Sequence, residues 1–259
     1  MKRCRPASRG PRRLALFGVI VLVLSVVMSA SLATADAGTG PLGVTVVAAA
    51  GVRSDRVGAL FHEGKPGEHY CTASVVHSPR HDLVLTAAHC LGDDGEGDGE
   101  LFFAPGYRDG QAPHGLWRVT RRYLPEGWVD GQDEDSDVAF AELEPDGSGR
   151  EVEDVVGGER FAAGVATGAT AVTVTGYPDD RDAPVTCTDK PRPHSRTQQR
   201  VECPGFSAGT SGSPWVNGNG QVVGVLGGHE QGGATDDVSY SVVLGAEAGL
   251  LYRTAVEGP

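Results

Sequence analysis

The sequence predicts an all-β fold, a sandwich or barrels of short strands. Three observations carry that expectation. Short runs rich in β-branched and apolar residues recur along the chain, separated by Gly, Pro and charged clusters. Glycine is abundant (38) while methionine is nearly absent (2), a balance that suits turn-rich β structure. Sustained 3.6-residue periodicity is scarce, apart from a helix expected near Ala246 to Ala255. A chain of 259 residues can bury a real core as one large domain or a tightly packed pair.

The first 35 residues read as an export signal. A basic stretch from Lys2 to Arg13 is followed by an apolar run from Leu14 to Leu32 and then by Ala33-Thr34-Ala35. Basic, apolar and small, in that order, is the layout of a cleaved secretory peptide, with the cut expected after Ala35. An uncleaved anchor is the competing reading, because the apolar run is long enough to span a bilayer. Arg12-Arg13 leaves a twin-arginine export route open. Residues 36 to 55 are small and weakly patterned, as expected of a leader or short propeptide.

Strands are expected at Val57 to His62, Tyr70 to His77, Asp82 to Ala88, Trp117 to Arg121 and Asp137 to Leu143. Further ones fall at Ala171 to Gly176, Gln221 to Leu226 and Val238 to Leu244. A soft boundary around Pro145 to Gly158 divides the mature chain, with 56–145 before it and 146–259 after it. The acidic, glycine-rich run Gly92 to Glu100 is best read as a solvated loop; a weak Ca²⁺ site is the alternative.

Charge and cysteine usage narrow the function. The net charge is −12, and losing the six basic residues of the signal takes it to −18. Such a surface repels phosphate backbones and anionic lipid, so neither nucleic acid nor, after signal cleavage, a membrane is an expected partner. With Cys4 set aside in the signal, Cys71, Cys90, Cys187 and Cys203 remain. An even count in an exported chain implies two disulfides with three possible pairings. Sequence neighbourhood favours Cys71–Cys90 and Cys187–Cys203, and no C-x₂-C spacing suggests zinc. No metal or cofactor is called for, and nothing demands a partner subunit, so a monomer is expected.

Three segments carry chemistry. Thr86-Ala87-Ala88-His89-Cys90 places a histidine at a strand end beside a cysteine, where it can serve as a rigid general base. Asp135-Ser136-Asp137-Val138-Ala139-Phe140 puts Asp137 next to an apolar run, at a core edge where a carboxylate can orient an imidazole. Asp133 and Asp135 compete for that role. Gly209-Thr210-Ser211-Gly212-Ser213-Pro214-Trp215 sets a serine among residues that permit a tight turn. The amides of Gly209 and Ser211 can there face a developing oxyanion.

Taken together, TAAHC, DVAF and GTSGSP resemble the motifs of the trypsin/chymotrypsin-like serine peptidases, among them bacterial secreted members of the glutamyl-endopeptidase type. The resemblance covers roughly Arg56 to Thr254. It implies two six-stranded antiparallel β-barrels with the site in the cleft between them, and a secreted endopeptidase acting on protein or peptide substrates. It further implies Ser211 as nucleophile, His89 as base, Asp137 as its orienting acid and Gly209 with Ser211 as oxyanion hole. Gly205, Phe206, Ala208 and Leu226 are implied around the substrate, and the strand Gly227-Gly228-His229 is implied to pair with its backbone.

Two departures bear on activation and specificity. Thr210 stands where the animal enzymes carry an aspartate that receives a new N-terminal amine, so that switch is expected to be absent. The floor of the specificity pocket falls near Gly205 rather than on an acid, and Leu226 sits where glutamyl endopeptidases tend to carry histidine. The side-chain preference is therefore open; Asp236 and Asp237 are expected to be surface loop acids. Two rival readings exist. Gly205-Phe206-Ser207-Ala208-Gly209 fits G-x-S-x-G, which would make Ser207 the nucleophile of an α/β-hydrolase esterase, but βαβ alternation is missing. The other rival is an inactive peptidase-like binding module.

Overall fold

The computed structural model describes residues 41–62, 68–92 and 99–258. The signal segment, the beginning of the expected leader and most of the acidic loop after Gly92 lie outside them.

The first half is a closed barrel. Strands β2 (Val57–His62), β3 (His69–Val75), β4 (Leu83–Thr86), β5 (Leu101–Pro105), β6 (Trp117–Tyr123) and β7 (Ala139–Leu143) follow the order β2-β3-β4-β7-β6-β5 around it. Every ladder is antiparallel, and β2 pairs with β5 to close the ring. Leu60, Ala73, Val75, Val84, Phe103 and Trp117 belong to one buried cluster in this half. On β4 only Val84 joins that cluster; Leu83 and Leu85 point the other way, into a second one. A strand buried on both faces needs apolar residues at every position, which explains the unbroken run Leu83-Val84-Leu85.

The second cluster is the seam between the halves. It joins Leu83, Leu85 and Phe140 to Val222 and Val225 of β14 (Gln221–Val225) and to Val242 of β15 (Val238–Val242). Ala248 and Ala255 of helix α4 (Ala246–Glu257) complete it. Each large apolar side chain buried there contributes about 1.5–3 kcal/mol. Helix α4 is thus the strut across the junction. Its far end is held by Arg80, whose guanidinium donates to the carbonyls of Val256 (3.0 Å) and Ala255 (2.9 Å).

The second half has a six-stranded sheet in the order β1-β10-β9-β13-β14-β8 and a three-stranded sheet, β11-β12-β15. Here β1 is Val44–Val47, β8 Arg160–Phe161, β9 Val172–Gly176, β10 Val185–Asp189, β11 Arg192–Pro193, β12 Gln198–Glu202 and β13 Pro214–Asn217. Val174, Val185 and Trp215 from the larger sheet share a core with Val201 of β12. The all-β class and C-terminal helix match the sequence expectation, yet β14 and β15 do not join the two sheets by a ladder. Side chains take the main-chain groups instead: Ser241 Oγ accepts from Val225 N (2.9 Å) and Gln199 Nε2 donates to Val223 O (3.2 Å). One pair, β14 with β8, is parallel.

The disulfides are Cys71–Cys90 and Cys187–Cys203, the pairing that sequence neighbourhood favours. Strand β1 falls within the stretch expected to be a leader, and it pairs antiparallel with β10. A short helix, α1 (Val52–Asp55), follows it; α2 (Glu126–Gly131) and α3 (Val152–Val156) lie farther along, α3 between the halves.

Candidate active site

His89 lies in a 3₁₀ turn, Ala88–Cys90, immediately after β4. The neighbouring Cys90 is bonded to Cys71 of β3, which fixes the turn to the barrel wall. Asp137 follows another 3₁₀ turn, Glu134–Ser136, just ahead of β7. Strands β4 and β7 are paired with Thr86 opposite Ala139, so the two turns leave the barrel side by side.

The imidazole and the carboxylate meet directly. His89 Nδ1 lies 2.7 Å from Asp137 Oδ2, and the His89 amide donates to Oδ1 at 3.0 Å. Gly228, from the second half, donates its amide to Oδ2 at 2.7 Å. Asp137 is fully buried, and an ionised carboxylate offers acceptors only, so a ring of N–H donors is the partner set it needs. This arrangement puts the His89 proton on Nδ1 and leaves Nε2 as an acceptor. Asp133 and Asp135 do other work. Asp133 accepts from Asp135 N, and Asp135 Oδ1 accepts from Gln198 Nε2; both residues are exposed.

Ser211 stands in a turn between Gly209 and Gly212, which both have positive φ (+87° and +84°). A side chain at Gly212 would run into Thr72 O and Thr86 Oγ1, so only glycine lets the loop lie this close to β3 and β4. The loop is held through Thr72. Its amide donates to Ser211 O (2.7 Å), and its hydroxyl donates to Gly209 O (3.0 Å) and accepts from Tyr177 N (2.9 Å). Since Thr72 follows Cys71, the Cys71–Cys90 disulfide links the anchor of the serine loop to the residue next to His89. Thr210 is buried and donates its hydroxyl to Ser207 O at 2.6 Å. Its side chain is satisfied within the loop.

The residues implied around the substrate separate into groups. Gly205 is open on its Cβ side, and Ala208 is exposed. Phe206 and Leu226 are buried in the core of the second half with Trp215. The segment Gly227-Gly228-His229 is not a strand. Strand β14 ends at Val225, Gly228 has φ +77°, and His229–Gly232 is a tight turn with Glu230 and Gln231 at positive φ (+51° and +54°). The reason is local: Gly227 N is spent on Tyr240 O and Gly228 N on Asp137. A Cβ at Gly227 would lie 2.7 Å from Asp137 Oδ2. His229 stacks on His194 (ring centroids 4.6 Å apart), with Tyr240 edge-on to both rings. Asp236 and Asp237 are exposed, as expected of loop acids.

Sequence reading missed two organising residues. Gln198, buried on β12, donates to Glu134 O and Asp135 Oδ1 (both 2.9 Å), tying the turn before Asp137 to the second half. Thr72 is the other. Neither has a motif, since a buried polar residue inside a strand looks like any other until its partners are known. Ser207 lies in a run of turns leading to β13, with no helix behind it, so the strand–turn–helix setting of a hydrolase elbow is missing there. Among the described residues, Cys71, His89 and Cys90 cluster like metal ligands, but both sulfurs are in a disulfide.

Comparison with known proteins agrees with this architecture. Residues 71–225 match the model of the trypsin-like peptidase domain. A glutamyl endopeptidase of Bacillus licheniformis is 33% identical over 104 residues, which is 39% of this chain and 31% of that protein. Among solved structures, the protease Anisep from Arthrobacter nicotinovorans superposes with a TM-score of 0.69 at 26% identity, covering 79% of this chain and 96% of that one. The thermostable serine protease AL20 from an extremophilic microorganism gives 0.70 at 27% identity, covering 81% and 100%. The chain belongs to the trypsin-like peptidase family.

Proposed function

We propose that this protein is an exported serine endopeptidase that works through Ser211, His89 and Asp137. The observation that carries the reading is the 2.7 Å contact between His89 Nδ1 and Asp137 Oδ2, with that carboxylate also bound by the amides of His89 and Gly228. It gives the imidazole one defined tautomer and leaves Nε2 as the acceptor.

In this mechanism His89 Nε2 takes the Ser211 hydroxyl proton as the oxygen attacks the scissile carbonyl. Asp137 stabilises the imidazolium that forms. The amides of Gly209 and Ser211 receive the oxyanion, and collapse of the tetrahedral adduct expels the amine, protonated by His89. Water then repeats the sequence on the acyl-enzyme, returning the proton to Ser211 and releasing the acid. Thr210 has no charge to capture a new N-terminus, so maturation here does not use that ion pair. Export is supported by the basic, apolar and small order of the first 35 residues, and by two disulfides that persist in an oxidising compartment.

Labelling of the purified protein with a fluorophosphonate probe tests the reading. Loss of label in Ser211→Ala with retention in Ser207→Ala is expected. Loss only in Ser207→Ala would transfer the nucleophile to that residue, and an unlabelled wild-type chain would point to an inactive binding module. A peptide library on the labelled form then reads the side-chain preference.

A further inference from the structure

At the opposite end of β4 from His89, the turn from His77 to Asp82 carries two imidazoles against helix α3. One ligand atom from each of His77, His81 and Glu153 lies within 4.8 Å of the others. We propose that these three residues form a binding site for one zinc(II) ion, separate from the peptidase site.

The donor set selects the metal. Two imidazoles with one carboxylate suit a borderline cation such as zinc, whereas Ca²⁺ and Mg²⁺ want oxygen ligands throughout. Three protein ligands leave a fourth tetrahedral position for water.

The surroundings resemble the outer layer of a built metal site. Asp154 Oδ1 lies 2.6 Å from His81 Nδ1, and a carboxylate on one ring nitrogen turns the other, Nε2, into the metal ligand. Glu153 Oε2 accepts from Ser78 N at 3.1 Å, which orients the carboxylate and leaves Oε1 to coordinate. That oxygen now lies 2.8 Å from His77 Nδ1. Zinc bonds of about 2.0–2.2 Å would replace this contact by two metal bonds and draw the other donors inward.

The main chain is fixed, and each ring is held through its Nδ1 contact with a carboxylate. His77 N donates to Glu159 O (2.8 Å), and His77 O accepts from Tyr252 of α4 (2.7 Å). Glu153 N donates to His81 O at 3.0 Å. The His77 and His81 side chains are 55% and 42% exposed, so small ring rotations can close the site and an ion can reach it. His81 also holds φ +62°, an uncommon backbone for a side-chain-bearing residue, here set by its amide donating to Ser78 O. A bound ion would fasten the β3–β4 turn to the segment between the halves.

Isothermal titration of the chelator-stripped full-length protein with zinc chloride tests this, alongside His77→Gln, His81→Asn and the double variant. Asparagine tolerates positive φ, so His81→Asn removes the imidazole without disturbing the turn. Unchanged circular dichroism of the metal-free variants checks that they fold. One equivalent of zinc is expected in the wild type, with at least tenfold weaker binding in each single variant, no corresponding uptake in the double variant and no heat with calcium chloride. A wild type that takes up no zinc overturns the proposal. So does a folded double variant with unchanged affinity, which would move the ion to another cluster such as His194 and His229. Peptidase activity is not read, so the result is independent of the assignment of Ser211.

Discussion

Replacing Thr72 by valine removes one hydroxyl while keeping the side chain's shape, and the structure gives the size of the effect. Thr72 is fully buried, and its Oγ1 serves Gly209 O at 3.0 Å and Tyr177 N at 2.9 Å. Valine strands both groups where Gly209 and Tyr177 are themselves buried. Each stranded group costs about 1–3 kcal/mol, so Thr72→Val should lose about 2–6 kcal/mol. For a domain of this size that lowers Tm by at least about 4 °C. Gly209 also supplies one amide of the proposed oxyanion hole, so loosening of this residue should reduce kcat at least tenfold, about 1.4 kcal/mol, with KM little changed. Thr72→Ser keeps the hydroxyl and loses one methyl, about 0.8 kcal/mol of burial. Thermal unfolding and steady-state kinetics on the two variants decide the matter. If Thr72→Val melts and turns over like Thr72→Ser, the hydroxyl does not hold the serine loop and the reasoning is wrong.

Gly227→Ala puts a methyl group 2.7 Å from Asp137 Oδ2 and 3.1 Å from Ala87 Cβ, so the carboxylate must shift away from His89. Turnover should fall by more than tenfold while circular dichroism stays native, and an active Gly227→Ala enzyme would refute the close approach. Reduction of the two disulfides should cost about 2–4 kcal/mol each, measured as a lower Tm in reductant. An unchanged melting point would show that these bonds do not contribute. Burial raises Tyr70 and Tyr177 well above the usual phenol range, and burial with the Asp182 contact pushes Tyr107 up to about 12. Between about pH 10 and 12 the folded state therefore retains protons that the unfolded chain releases, so stability falls as pH rises through that window. Phenolate absorbance of these three should appear together with alkaline unfolding, and early ionisation of all six tyrosines would contradict their burial.

The elements legible in the sequence were those whose chemistry is local. Val57–His62 and Ala246–Glu257 announce themselves by an apolar run and a helical face, and the cysteine pairs by proximity. Strands β10 and β12 read Val-Thr-Cys-Thr-Asp and Gln-Gln-Arg-Val-Glu, too polar to stand out. They are strands because partners supply the burial: Cys187 enters the core through its disulfide, and Gln198 and Gln199 are buried because their amides serve Asp135 and β14. Strand β1 is four residues paired on one edge, with nothing but register to declare it. The candidate site divides in the same way. Ser211, His89 and Asp137 each sit in a compact motif. Thr72, Gln198 and the Gly228 amide act across 137, 63 and 91 residues of chain, distances that no window along a sequence can see.

The grip on Asp137 comes from both sides of the molecule: His89 belongs to the first barrel and Gly228 to the second half. A chain on its way to the native state can finish one barrel and still have a carboxylate missing one of its amide donors, with the serine loop not yet hung on Thr72. In the proposed mechanism the assembly therefore behaves as a coincidence detector, armed only when the two halves have docked. For a protein that would otherwise be surrounded by unfolded copies of itself, each an easy meal, that ordering separates completion from digestion.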